Sequence, residues 1–312
     1  MDTLAVVMEK PQSLALRRLA LTPPGDADVV VAVEWSGIST GTERLLWSGR
    51  MPAFPGMGYP LVPGYESVGR IIEAGPASGR QVGERVFVPG ATCYGEVRGL
   101  FGGAAARVVL PGARVVPLPE GMEETGALFA LAATAHHAVV LPGVPLPELI
   151  IGHGVLGRLV ARITVALGGK PVVWEKNPIR QDAGAGYAVI DPAADTHTAY
   201  KVICDVSGAA DLLDTLIARL APQGDVVLAG FYEAPLSFSF PPAFMREARL
   251  RVAAQWKPAD VAGVTALLAK GALSLEGLIT HHGTPENADA AYRTAFSDPS
   301  CLKMILDWRA VS

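Results

Sequence analysis

The sequence predicts an α/β protein of two domains, one β-rich and barrel-like, the other a doubly wound parallel sheet. Three observations carry that prediction. The first third of the 312 residues is rich in Gly, Pro and Val and reads as short strands separated by turns. After the proline-rich joint Pro117-Leu-Pro-Glu-Gly121, helix-like and strand-like segments alternate. Between an apolar run and an apolar-periodic segment, Gly152, Gly154 and Gly157 stand in G-x-G-x-x-G spacing.

Taken in order, Val29–Trp35 is a buried strand and Glu66–Glu73 an alternating one, and Gly83–Val88 and Ala105–Leu110 add two more. This first domain spans residues 1–118. Residues 119–274 form the second. There, Gly126–Val140 is an apolar helix and Glu148-Leu-Ile-Ile151 a buried strand. Leu159, Val160, Ile163 and Leu167 mark the buried face of the next helix, which stops at Gly168-Gly169. Pro171–Trp174, Ala188–Ile190, Val202–Val206 and Asp225–Gly230 read as further strands, with a helix near Leu212–Leu220. The pattern is mixed after Phe244, Ala259–Lys270 is helical, and the tail gives a helix from Pro285 and a strand over Cys301–Leu306. That tail, from about residue 275 to 312, is expected to return to the first domain.

The glycine triplet has a mechanical reading. Gly152 permits a tight turn, Gly154 lets backbone approach a pyrophosphate, and Gly157 lets helix and strand pack closely. His153, Val155 and Leu156 complete the loop, and the helix N-terminus offers free N–H groups to phosphates. Glu175 closes the next strand, where a carboxylate accepts from a ribose 2′-hydroxyl and repels a 2′-phosphate, so the cofactor expected is NAD. Lys176 and Arg180 follow closely and act against that preference. Ser207-Gly208 and Gly230, at two later strand ends, are placed to line the nicotinamide half. A set of tight turns without a ligand is the plainer alternative for each glycine.

Composition narrows the function. Half the residues are hydrophobic, 18% are charged and the net charge is −4, which argues against nucleic acid or an anionic membrane surface as partner. Polar residues and prolines interrupt the longest apolar stretch, Gly126–Ile151, so no membrane span is expected, and no signal peptide is apparent. Three scattered cysteines, Cys93, Cys204 and Cys301, fit a reducing cytoplasm. His136-His137 and His281-His282 read as structural or solvated pairs, because adjacent residues point to different helix faces.

With these features in place, the chain resembles the medium-chain dehydrogenase/reductase superfamily over essentially its whole length. The matching landmarks are Ser36–Glu43, Pro63–Gly69, Gly83–Val86, the glycine triplet, Asp205–Gly208 and the Pro285–Leu306 tail. The resemblance implies a GroES-like catalytic domain beside a Rossmann domain, an active site in the cleft between them, and dimers formed through the Rossmann sheet. The unbroken run Ile38–Ser67 is similar to a narrower branch that uses NAD to oxidise the 3-(1-hydroxyethyl) group of a bacteriochlorophyllide to 3-acetyl. Zinc-free quinone or enoyl reductases, and nucleotide-binding proteins without turnover, remain the alternatives.

The same resemblance exposes a departure. Where zinc-dependent members place a cysteine, a histidine and a third ligand, this chain has Ser39, Tyr65 and an uncharged residue near Thr134. Zinc takes Cys, His and carboxylate ligands, so these are poor replacements. Of the four cysteines of the family's structural zinc site, Cys93 alone has a counterpart. A metal-free reaction is therefore expected, with Tyr65 donating to the substrate oxygen and passing its proton to Thr42, Thr40 or Ser39, and Glu66 orienting the group. The alternative is that Tyr65 fills the space left by zinc while Glu66 pairs with a buried arginine. Leu46–Leu61, with Trp47, Met51, Phe54, Met57 and Tyr59, reads either as an apolar wall for a flat pigment, with Arg50 or Arg44 meeting its carboxylate, or simply as core.

Overall fold

Runs of β-branched and other apolar residues form the strands, and among the described residues their pairing gives three sheets. The computed structural model describes residues 1–182 and 186–311, and its contacts divide the chain into two units. One comprises Met1–Ala130 with the chain from Glu276 onward; the other is Leu131–Leu275.

The first unit is organised around the strand Asp28–Ile38, which pairs antiparallel with Ser67–Ala74, Arg107–Pro111 and Met304–Asp307. The C-terminal strand thus closes onto the N-terminal part, with Met304 opposite Ile38 and Leu306 opposite Ser36. Asp28–Ile38 runs three residues beyond the expected Trp35, because Ser36, Gly37 and Ile38 are as buried as the apolar run before them. Its end delivers Ser39 to the interior. A second sheet joins the hairpin Asp2–Lys10/Ser13–Ala20 to Leu61–Val62 and Arg98–Gly99. Ala5–Met8, Val29–Val31, Leu46, Val108, Tyr292 and Trp308 meet in the shared core.

Among the described residues of the second unit six strands lie parallel, in the spatial order Ala188–Ile190, Val172–Trp174, Leu149–Ile151, Tyr200–Asp205, Leu220–Leu228, Arg249–Val252. Numbered along the chain this is 3-2-1-4-5-6, the doubly wound dinucleotide-binding order. The order reverses between Leu149–Ile151 and Tyr200–Asp205, so the loops after these two strands flank the position where such sheets bind ligands.

Several elements differ from expectation. The helix expected over Gly126–Val140 starts as a 3-10 turn, Glu124–Leu128, and becomes α-helical only over Phe129–Val139. Leu159, Val160 and Ile163 are buried on Val155–Ala166, but Leu167 caps that helix and is exposed. The strand expected from Asp225 begins at Leu220, directly after the helix Leu213–Arg219. The helix Phe240–Arg246 and the edge strand Arg249–Val252, like the hairpin Asp2–Lys10/Ser13–Ala20, had no expected counterpart, and the helix and edge strand leave Phe240, Phe244, Met245 and Val252 exposed. Lacking a buried face, they lack a hydrophobic period. Among the described residues no helix is long and apolar enough to cross a membrane.

Candidate active site

Two sets of expected site residues lie in the two units. In the first, Asp28–Ile38 ends, Ser39-Thr40-Gly41 turns the chain, and the helix Thr42–Ser48 begins. This short helix is closed by Gly49 in the left-handed conformation. Ser39 is buried, Thr42 and Tyr65 are half-buried and Thr40 is exposed. The Ser39 and Tyr65 hydroxyls lie 2.6 Å apart, a hydrogen bond in which either can donate. Burial and the charge of Glu66 push the phenol well above its ordinary value, while its hydrogen bonds to Ser39 and Thr42 pull it back. Tyr65 is thus a neutral phenol, able to donate or relay a proton but not to stand as a phenolate. Its ring packs edge-on against Phe101, centroids 5.4 Å apart.

Behind these hydroxyls is a charged cluster. Glu66 is fully buried, and its partner is Lys303, not the arginine considered from sequence: Nζ donates to Oε2 at 2.5 Å. Glu66 Oε1 is buried and has no hydrogen-bond partner among the described residues. Glu43 is fully buried as well and accepts from the Tyr292 hydroxyl at 2.8 Å. Lys303 and Tyr292 were missed in the sequence reading, although a lone lysine inside Cys301-Leu-Lys-Met-Ile-Leu306 is the signal that could have found the first.

The donor set does not suit zinc. Ser39 and Tyr65 bond each other, Thr134 lies within the helix Phe129–Val139, and none of the three is a good ligand. Among the described residues no group of three or more His, Cys, Asp or Glu is placed to hold a metal ion. Cys93 is buried and accepts from the Val109 amide. His136 and His137 use their Nδ1 atoms on the two oxygens of one carboxylate, Asp260, at 2.9 and 3.0 Å, so the adjacent rings do converge, on a structural partner. His282 pairs with Glu124.

In the second unit the triplet links the strand Leu149–Ile151 to the helix Val155–Ala166. Gly152 has φ +99°, open to glycine at little cost, and a Cβ on Gly157 would overlap the Gly152 carbonyl oxygen. A Cβ on Gly154 would meet nothing nearer than Arg180 Nη1, 3.9 Å away, so the space above it is open. Among the described residues no side chain caps this helix, which leaves its first N–H groups for a ligand. Val155 is buried, whereas Leu156 is partly exposed.

His153 departs from its expected place beside a pyrophosphate. Its ring is completely buried, Nδ1 donating to the Arg180 carbonyl at 2.6 Å and Nε2 facing the Tyr187 hydroxyl at 3.0 Å. Burial pulls its pKa down, favouring the neutral ring. Only its backbone is left to meet a phosphate, and its N–H donates to Glu175 Oε2 at 3.0 Å. Glu175 Oε1 accepts from the Asn177 amide at 2.8 Å, so this carboxylate ties the glycine loop to the loop that follows. A carboxylate has about four lone-pair sites, which leaves acceptor capacity for a ribose hydroxyl.

Across the reversal of strand order, Asp205 is buried and Oδ1 accepts from both the amide and the hydroxyl of Ser207, at 2.8 and 2.7 Å. Tyr232, from the strand end Gly230-Phe-Tyr232, donates to Oδ2 at 2.9 Å. The Gly230 amide donates to the Asp205 carbonyl at 3.0 Å, so the Ser207-Gly208 and Gly230 turns lie side by side. In the Leu46–Leu61 segment, Leu46 and Met51 are buried in the core, Trp47, Met57 and Tyr59 pack against it, and Phe54 is exposed. Arg50 Nε donates to Ser48, and Arg44 is exposed one residue beyond Glu43.

A GroES-like unit with a buried polar turn, and a dinucleotide-type parallel sheet with an open glycine loop, define the medium-chain dehydrogenase/reductase class. Comparison with known proteins agrees. Residues 25–120 match the alcohol dehydrogenase GroES-like domain. The 2-desacetyl-2-hydroxyethyl bacteriochlorophyllide A dehydrogenase of Rhodobacter capsulatus is 55% identical, covering 99% of both chains. Its namesake from Cereibacter sphaeroides is 54% identical over 100% of both. Among solved structures, 2R,3R-butanediol dehydrogenase from Bacillus subtilis superposes with a TM-score of 0.84 at 20% identity, covering 98% of this chain and 99% of that one. The chain belongs to the medium-chain dehydrogenase/reductase superfamily and, within it, to the family of these bacteriochlorophyllide dehydrogenases.

Proposed function

We propose that this protein oxidises the 3-(1-hydroxyethyl) group of bacteriochlorophyllide a to 3-acetyl, a late step in making bacteriochlorophyll a, with NAD and without zinc. The observation that carries the substrate is the full-length identity, 55%, to a dehydrogenase named for that pigment. What carries the metal-free chemistry is the Ser39–Tyr65 hydrogen bond at the place where zinc-dependent relatives hold a metal.

Oxidising a secondary alcohol to a ketone removes a hydride and a proton. NAD, when bound, supplies the acceptor for the hydride. The chain's own residues handle the rest. Tyr65, neutral and half-buried, hydrogen-bonds the carbinol oxygen and, as the proton leaves, passes its own to Ser39 or Thr42, the two hydroxyls it touches. Exposed Thr40 gives the relay an exit to water. Glu66, locked to Lys303, is oriented too firmly to swing into the relay and acts on Tyr65 through its charge.

Cofactor binding falls to the backbone of Gly152, His153, Gly154, Val155, Leu156 and Gly157, to Glu175, and to Ser207, Gly208 and Gly230 at the reversal of strand order. Glu175 favours NAD over NADP because its carboxylate, held by two backbone amides, opposes a 2′-phosphate. Arg44 and Arg50 offer positive charge to the pigment's carboxylate, and the subunits pair as homodimers. The enzyme works in the cytoplasm, whose reducing conditions suit its three free, buried cysteines. The test is to mix the protein with 3-hydroxyethyl bacteriochlorophyllide a and either NAD or NADP, following the pigment's red band together with nicotinamide reduction. Acetyl pigment formed with NAD supports the reading; an inert pigment overturns it, and a preference for NADP overturns the role of Glu175.

A further inference from the structure

The hydroxyl network is backed by two carboxyls and a single ammonium, all withdrawn from water. Glu43 and Glu66 are completely buried and Lys303 is 2% exposed. Lys303 Nζ donates to Glu66 Oε2 at 2.5 Å and to the Ile38 carbonyl at 3.1 Å. Among the described residues Glu43 takes only neutral donors, the Tyr292 hydroxyl at 2.8 Å and the Ser39 amide at 3.3 Å. The groups come from separate elements: Ser39 from the end of Asp28–Ile38, Tyr292 from the helix Ala288–Ser297, Lys303 from just before the last strand, Tyr65 and Glu66 from the approach to Ser67–Ala74. Among them they carry one fixed positive charge.

One lysine balances one carboxylate. A second buried anion would have no partner, which is far less favourable than holding a proton. The bonds show which acid that is, since the ammonium lies on Glu66 and the phenol on Glu43. We propose that Glu43 keeps a proton at neutral pH and is a positioning residue for the Ser39–Thr42–Tyr65 network, fixing the Ser39 backbone as a neutral acceptor and switching the network off when alkali ionises it.

The switching follows from position. Glu43 accepts from the amide of Ser39, and its chain neighbour Thr42 bonds Tyr65. Once ionised, Glu43 adds a negative charge behind the oxygen on which negative charge develops during oxidation. Burial first, and then the charge of Glu66, push the Glu43 carboxyl up to about 8, against the pull of Tyr292, Lys303 and the Ser39 amide. Because this lies above the ordinary carboxylate value, stability tied to the neutral form is complete below that ordinary value and is lost as pH rises through about 8.

The protonation claim stands by itself; the switching claim rests on the proposed relay, and the test separates them. Infrared difference spectra of the whole protein, wild type minus Glu43→Gln, should show at neutral pH the carbonyl stretch of one neutral carboxylic acid, vanishing as pH passes about 8. Glu66→Gln should lose the same band, because Lys303 then draws the remaining carboxyl into its ionised form. In turnover, kcat of the wild type should fall about tenfold per pH unit above the transition, as for loss of one required proton. Glu43→Gln should lack that alkaline limb. A wild-type spectrum without the band, or a band that survives in Glu43→Gln, overturns the protonation. An intact limb in Glu43→Gln overturns the switching. A Tyr65→Phe enzyme with undiminished turnover but an intact band overturns the relay alone.

Discussion

Replacing Lys303 with methionine tests the charge balance behind the site. The substitution keeps most of the side-chain volume and removes only the ammonium, which donates to Glu66 at 2.5 Å and to the Ile38 carbonyl at 3.1 Å. With Glu43 and Glu66 both fully buried, no water can replace the lost charge. Breaking a buried ion pair on one side costs about 3–5 kcal/mol. The alternative open to the variant is to protonate the orphaned carboxyl. For a carboxyl of ordinary acidity that costs about 4 kcal/mol at pH 7, from about 1.4 kcal/mol for each pH unit above its titration. The orphaned Ile38 carbonyl adds about 1 kcal/mol. With the carbonyl included, the two routes come to about 4–6 and about 5 kcal/mol in urea denaturation at neutral pH. Because protonation becomes easier by about 1.4 kcal/mol for each unit that pH is lowered, the variant follows that route and its loss shrinks below neutrality. Adding Glu66→Gln should restore most of it. A loss below about 1 kcal/mol, or one independent of pH, would refute the reasoning, because a solvated pair contributes no more than that.

Three further outcomes follow from the same geometry. Tyr65→Phe removes the hydroxyl 2.6 Å from Ser39 and should lower kcat by about 10²–10⁴-fold, with NAD affinity by calorimetry unchanged. Gly157→Ala places a methyl group onto the Gly152 carbonyl oxygen and should abolish measurable NAD binding while the first unit keeps its fold by circular dichroism. Prolonged dialysis against a zinc chelator should leave turnover intact; lost activity that returns with added zinc would remove the metal-free reading.

The strand order 3-2-1-4-5-6 had no signal in the sequence, but the parallel doubly wound sheet was legible, because its first strands are apolar runs bounded by glycine, proline or acid, as in Leu149–Ile151 and Val172–Trp174. Arg249–Val252 was not, because an edge strand that alternates arginine with exposed Leu250 and Val252 has no buried face to betray it. At the site the same distinction holds. Ser39, Thr42 and Tyr65 sit in unusual short motifs, and the structure gathers them into one hydrogen-bonded group. Lys303 and Tyr292 lie more than 200 residues along the chain from the carboxyls they serve, |i−j| being 237 and 249, so no local spacing connects them. His153 shows the opposite error. Its position in the loop suggested a ligand contact, but the ring turns inward to the Arg180 carbonyl and Tyr187, a choice set by tertiary packing.

In the proposed reaction hydrogen passes directly from the carbinol carbon to nicotinamide, with an oxygen-bearing side chain handling the proton. The decisive measurement uses bacteriochlorophyllide deuterated at that carbon, with mass spectrometry of the nicotinamide recovered after turnover. One deuterium per acetyl pigment formed is the predicted result. Acetyl pigment accompanied by unlabelled nicotinamide would contradict the account.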